Sequence, residues 1–240
     1  MKKLRGRIYI FFPEDRARKA ACTEYFYLNN LLDELVKEKY GNNIQFYSSK
    51  KERDFIQQLK VVARNVEKKP DFYEQPNLFY IFKDIDYSTD DNNKQQLSTL
   101  FKKYFTYIND NRLRFNIILS SRAWETWLCM YDHQYNGRGN EIEVINGCSL
   151  FSGKYEKKRE WYDKNGKLYD IDAITNAYNN CQTERNNSFY EINGLISPET
   201  NFQNNIRSEK DIPSKVNALC NIGTFSYVDY FLHNISHYIR

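Results

Sequence analysis

The chain has 240 residues, 41% of them hydrophobic and 28% charged, and a formal net charge of +4. That balance excludes an intrinsically disordered chain and supplies apolar material for one large domain or two small ones. A mild positive charge with both signs plentiful permits nucleic-acid binding without arguing for it.

In chain order, the basic stretch Met1–Arg7 precedes an apolar run, Ile8 to Phe12, that ends at Pro13-Glu14-Asp15. Five apolar residues are too few for a signal peptide or a membrane span, so a cytoplasmic protein with no membrane partner is expected. The run reads as a buried strand. Residues 23–39 place Phe26, Leu28, Leu31, Leu32, Leu35 and Val36 at helical spacing, and Gly41-Asn42-Asn43 stops that helix. Ile44 to Tyr47 reads as a second strand. Residues 51–68 carry Phe55, Leu59, Val62 and Val66 on one helical face before Pro70. A third strand, Leu78 to Phe82, is followed by Lys83-Asp84-Ile85-Asp86 and a polar loop. A helix over about 93–107, a fourth strand from Phe115 to Ser120 and a short helix from Trp124 to Met130 complete this half.

Short β-branched and aromatic runs alternating with helices predict a mostly parallel sheet flanked by helices, the α/β class. The pattern leaves the strand order open. Residues 1–135 form this unit, and 136–240 read as an extension packed on it. In the extension Glu141 to Ile145 reads as a strand and Ile171 to Tyr178 as a helix, while 182–215 is polar with weak periodicity. The 20 Tyr and 16 Phe imply an aromatic-rich core.

Open α/β sheets bind ligands outside the carboxyl ends of their strands, and acids follow two of these strands. Asp84 and Asp86, two residues apart on extended backbone, share a side. Carboxylates held that close repel unless a cation or a proton neutralises them. Glu14, after the neighbouring strand, would complete a three-carboxylate site for Mg²⁺ or Mn²⁺. Such a site suits phosphodiester chemistry, in which a cation activates water and stabilises the leaving oxygen.

A further element, Ser120-Ser121-Arg122-Ala123-Trp124-Glu125-Thr126-Trp127-Leu128, would bring Arg122 and Glu125 to the same edge. The order Glu14, Thr23-Glu24-Tyr25-Phe26, Asp84-Ile85-Asp86 and Trp124-Glu125-Thr126-Trp127-Leu128 resembles the RloB family of the Toprim superfamily, related to the OLD-type nuclease domains. The resemblance covers residues 8–131, with a fainter echo around Ile171 to Ala177. It implies a Toprim-like fold, divalent-metal dependence and a nuclease in bacterial anti-phage defence, acting on DNA or on structured RNA such as tRNA. On this resemblance Glu14 is a general acid/base or metal-linked acid, Asp84 and Asp86 are metal ligands, and Glu125 is a supporting acid. Asp15 stands where the family has Gly, and Arg16 to Cys22 lengthens the following loop. That departure keeps open a catalytically degenerate binding or effector-sensing module, and offers Arg16, Arg18 and Lys19 as phosphate-binding side chains.

The run Lys154-Tyr155-Glu156-Lys157-Lys158-Arg159, with Trp161 close by, suits a nucleic-acid backbone and exposed bases, and a solvated face is its competing reading. His233 and His237 have the i, i+4 spacing of a metal pair but lie in an aromatic helix without a metalloprotease Glu, so a structural role is expected. His133 beside Asp132 carries little information. The five cysteines, Cys22, Cys129, Cys148, Cys181 and Cys220, lack any Cys-x-x-Cys and are expected as buried thiols. No phosphate-binding glycine loop is present, so an ATPase, if required, would be a separate subunit. The oligomeric state is left open.

Overall fold

The computed structural model describes residues 7–12, 23–40, 44–48, 52–68, 77–85, 91–107, 113–121, 123–133, 135–188, 208–220 and 226–239. Strands β1 (Ile8–Phe12), β2 (Ile44–Ser48), β3 (Asn77–Ile85) and β4 (Leu113–Ser121) alternate with helices α1 (Thr23–Tyr40), α2 (Glu52–Glu67) and α3 (Asp91–Tyr107). They form a parallel sheet in the order β2-β1-β3-β4. The chain is therefore α/β, consistent with a Toprim-like fold. Every residue of β1 and β3 is buried, which is why both strands lack the alternation of a one-sided sheet.

Register sorts the core into two faces. Ile10, Phe46, Tyr80 and Asn116 lie side by side on one, and Phe11, Tyr47, Ile81 and Ile117 on the other. On the first face Tyr25 of α1 meets Phe12 and Phe46, with ring centroids 6.4 and 5.2 Å apart. On the second, Tyr104 and Tyr107 of α3 pack on Phe115 at 5.9 and 6.0 Å. Aromatic residues at this density bury large apolar areas, each with a defined ring geometry.

After β4 come α4 (Glu125–Cys129), α5 (Glu141–Gly147), α6 (Arg159–Lys164), a 3₁₀ turn (Gly166–Tyr169), α7 (Ile171–Ser188), α8 (Ile212–Cys220) and α9 (Val228–Ile239). Helix α6 packs on α1, α8 on α3, and α9 on β4, α1 and α7. Phe231 of α9 sets its ring edge-on to Tyr80 at 4.9 Å and Phe82 at 5.1 Å, so the last described helix belongs to the core of the sheet's first face. Ser226 forms an antiparallel bridge to Ser120, and the Tyr227 N–H donates to the Leu119 carbonyl at 2.9 Å.

Three sequence expectations need correction. Glu141 to Ile145 is helical: Asn140 caps α5, its Oδ1 accepting the Ile142 N–H at 2.9 Å, and Ile145 is buried while Ile142 is exposed. Strand β3 does not stop at Phe82 but runs to Ile85, because β4 continues beside it and pairs Asp84 with Ser120 and Ile85 with Ser121. Helix α7 runs past Tyr178 to Ser188, so residues 182–188 are helical; 189–207 lie outside the described residues.

Buried tyrosines tie the extension to the core. The Tyr131 hydroxyl donates to the Leu168 carbonyl at 2.8 Å, so the 2.7 Å contact between Tyr27 and Tyr131 is made by the Tyr27 proton. Asn165 is 3% exposed; its Oδ1 accepts the Ser152 N–H at 2.6 Å and its amide donates to the Trp161 carbonyl at 2.8 Å, closing the loop before the 3₁₀ turn. Cys129, Cys148 and Cys181 are buried, and burial pushes the Cys129 and Cys148 thiols up, away from the thiolate form; Cys22 lies outside the described residues. Among the described residues no helix is long and apolar enough to cross a membrane.

Candidate functional site at the carboxyl edge of the sheet

Parallel strands put the ends of β1, β3 and β4 along one edge. The chain leaves β1 for β2 on one side and returns to place β3 on the other, so the order reverses between β1 and β3. That reversal is the topological switch point at which open α/β sheets form a crevice.

Carboxylates collect at this edge. Asp84, 6% exposed, lies on the face of β3 that also carries Tyr80 and Phe82. Glu24, also 6% exposed, is in the first turn of α1, where its Oε2 accepts the Thr23 hydroxyl proton at 3.1 Å. Glu125 is buried in the first turn of α4, and Asp229 in the first turn of α9. The hydroxyls of Ser120 and Ser226 stand 3.4 Å apart beside the β3–β4 pair. Asp229 and Ser226 were not expected, although Ser226-Tyr227-Val228-Asp229 has the spacing of a helix-capping sequence, and the Ser226 hydroxyl accepts the Val228 N–H at 3.3 Å.

Glu125 is the most fully specified of these acids. Its Oε1 accepts the Tyr155 hydroxyl proton at 2.8 Å and pairs with the Lys157 ammonium at 2.7 Å. The Tyr162 hydroxyl lies 3.2 Å from that of Tyr155; since Tyr155 gives its proton to Glu125, Tyr162 donates to Tyr155. Burial, reinforced by the neighbouring hydroxyl and by Glu125, pushes the Tyr155 phenol far up. Tyr162 is raised first by burial, then by the negative charges of Glu125 and Glu24, which places both acids within electrostatic reach of one hydroxyl.

The cations of the basic run are largely paired with acids. Lys157 is paired with Glu125, Lys158 with Glu156 at 2.6 Å, and Arg159 with Asp163 at 3.3 Å. The Lys158–Glu156 hydrogen bond lowers the Glu156 carboxyl and raises the Lys158 ammonium, both exposed. Lys154 is exposed. His133 bonds Asp132 at 2.6 Å on the surface, and His233 is exposed. Of the predicted site residues Glu14, Arg16, Arg18, Lys19, Asp86 and Arg122 lie outside the described residues, as does the His237 side chain.

Among the described residues no three of His, Cys, Asp and Glu gather around a point that an ion could occupy. Asp84 brings carboxylate oxygen, the donor that Mg²⁺ and Mn²⁺ take, and the other two expected donors are Glu14 and Asp86. Compared with protein-family models, curated proteins and solved structures, the chain gives no match.

Buried phenols give the fold a defined alkaline limit. Tyr27 is pushed from 10.0 up to about 12 by burial, and Tyr104, Tyr131, Tyr155 and Tyr162 are raised for the same reason. Between the unfolded and folded values the unfolded chain binds fewer protons, so stability is full below pH about 10 and falls as pH rises above it. In an alkaline titration followed by tyrosinate absorbance and far-UV circular dichroism, the late tyrosines should ionise together with unfolding. Their ionisation while the helices persist would contradict this.

Proposed function

We propose that the protein is a divalent-metal-dependent nuclease that cleaves phosphodiester bonds of DNA or structured RNA, tRNA included, as an effector of bacterial anti-phage defence. The observation that carries this reading is Asp84: a buried carboxylate at the end of a central parallel strand, on the edge where the sheet order reverses. The order of acids along the chain, and its resemblance to the RloB family, supports the same reading.

In this proposal Glu14, Asp84 and Asp86 hold the cation. A divalent cation there supplies Lewis-acid stabilisation of charge at the scissile phosphate. The chain's own share is positional and acid–base. Strand β3 fixes the backbone of Asp84 by pairing it to β4. Glu14 is either the third ligand of the cation or, where Asp84 and Asp86 alone hold it, the carboxylate that would accept the proton of the attacking nucleophile. Arg16, Arg18, Lys19, Arg122, Lys154 and Lys158 are proposed for the phosphate backbone, which would make binding fall steeply with salt. A separate ATPase subunit is proposed as partner where the reaction is gated by nucleotide.

The test uses plasmid DNA, single-stranded DNA and total tRNA, each with Mg²⁺, with Mn²⁺ and with EDTA, beside direct Mn²⁺ titration of the protein. Cleavage of one substrate class that EDTA abolishes is the expected result. A folded chain that binds no Mn²⁺ and cuts none of the panel would replace this reading with a non-catalytic nucleic-acid-binding or effector-sensing module.

A further inference from the structure

Two groups from one short stretch meet a single oxygen of Glu125. Tyr155 reaches it from 30 residues along the chain, and Lys157 joins it at 2.7 Å. The stretch is itself held in place. The Tyr155 N–H donates to Asn146 Oδ1 at 2.6 Å, and its ring stands edge-on to Trp161 at 4.8 Å. Glu125 opens α4, and the residue before it, Trp124, is 1% exposed with its ring 6.2 Å from Phe82. Phe82 and Asp84 are two residues apart on the same face of β3.

We infer that the segment 155–157 completes the carboxyl-edge site, with Tyr155 and Lys157 as positioning residues that lock Glu125 and, through Trp124 and Phe82, the strand end that carries Asp84. The inference rests on the reading of Asp84 as a catalytic ligand. It gives Glu125 Oε1 a role different from that of a metal ligand. That oxygen, already bonded to an ammonium and a phenol, could serve an ion only by displacing Lys157. Lys157 is likewise turned to the protein rather than to a phosphate backbone. A half-buried pair of this kind adds geometric definition more than stability, and small misplacements at a reacting centre can cost about 100-fold in rate.

The test compares the full chain with Tyr155→Phe, Lys157→Gln and Lys157→Arg. Tyr155→Phe and Lys157→Gln should each lower kcat by about tenfold with KM changed less than about twofold, the signature of lost transition-state positioning. Lys157→Arg, which still donates to the same oxygen, should return to within about threefold of wild type. Mn²⁺ affinity should move less than about threefold in all of them. Amide exchange followed by mass spectrometry gives a readout independent of cleavage: a peptide over 78–85 should exchange several-fold faster in the first two variants, and one over 212–220 should not change. A rise in KM at constant kcat would make Lys157 a substrate contact and overturn the inference, as would unchanged kcat or unchanged exchange over 78–85. A wild-type chain that neither binds Mn²⁺ nor cuts would remove the nuclease reading, and the exchange comparison alone would then decide whether the segment holds β3.

Discussion

Asp84→Asn is expected to lower metal-dependent cleavage by at least about 100-fold, close to 2.7 kcal/mol of transition-state stabilisation, in a chain that remains folded. Asn keeps the shape of this side chain, 6% exposed at the strand end, and removes its charge. The change withdraws an anionic oxygen from the ion, and nothing neutral replaces it with comparable affinity. Urea denaturation of both chains without metal, beside single-turnover cleavage and Mn²⁺ titration, separates the effect on folding from the effect on the reaction. Loss of about 2 kcal/mol of stability in Asp84→Asn would mark the carboxylate as a structural hydrogen-bonding group, and undiminished cleavage would remove it from the reaction.

Much of the sheet was legible because its strands are buried on both faces. Ile8 to Phe12 and Ile117 to Leu119 are apolar whichever way they point, and the helices between them carry a clear period. The end of β3 was not legible. Lys83 and Asp84 break the apolar run, and a reading by hydrophobicity ends the strand at Phe82. The ladder continues because β4 supplies backbone partners as far as Ser121, and backbone pairing is indifferent to side-chain charge. Glu141 to Ile145 misled in the opposite way. Its Glu-Ile-Glu-Val alternation imitates a strand, yet the decisive group is the Asn140 side chain just before it, which caps a helix. The candidate site divides on the same principle. An acid after a strand is a local pattern and could be found. The bond from Tyr155 to Glu125 spans 30 residues, and no local pattern in a basic run distinguishes a lysine that faces a phosphate from one that faces a buried carboxylate.

Trp124→Ala should cost about 3–5 kcal/mol of folding stability, the range for deleting a large buried aromatic. That is a sizeable share of the roughly 5–15 kcal/mol that holds a domain together. The indole is 1% exposed and packs against Tyr27 at 5.4 Å and Phe82 at 6.2 Å, so its removal leaves a cavity between α1, α4 and β3 that these neighbours can only partly fill. Trp127→Ala provides the comparison. Trp127 is equally buried, but its ring contacts are with Tyr27 and Tyr131, at 6.5 and 5.8 Å. Both variants should therefore lose similar stability by urea denaturation, and both should be assayed at a temperature where the folded fraction is high. Only Trp124→Ala should then lose activity per folded molecule, because only that cavity adjoins Phe82, two residues before Asp84. Equal activity per folded molecule in the two variants would mean that the aromatic core stabilises the sheet without shaping its carboxyl edge. A loss below about 1.5 kcal/mol in Trp124→Ala would mean that the surrounding side chains collapse into the space, and that the route from Glu125 to β3 does not run through this ring.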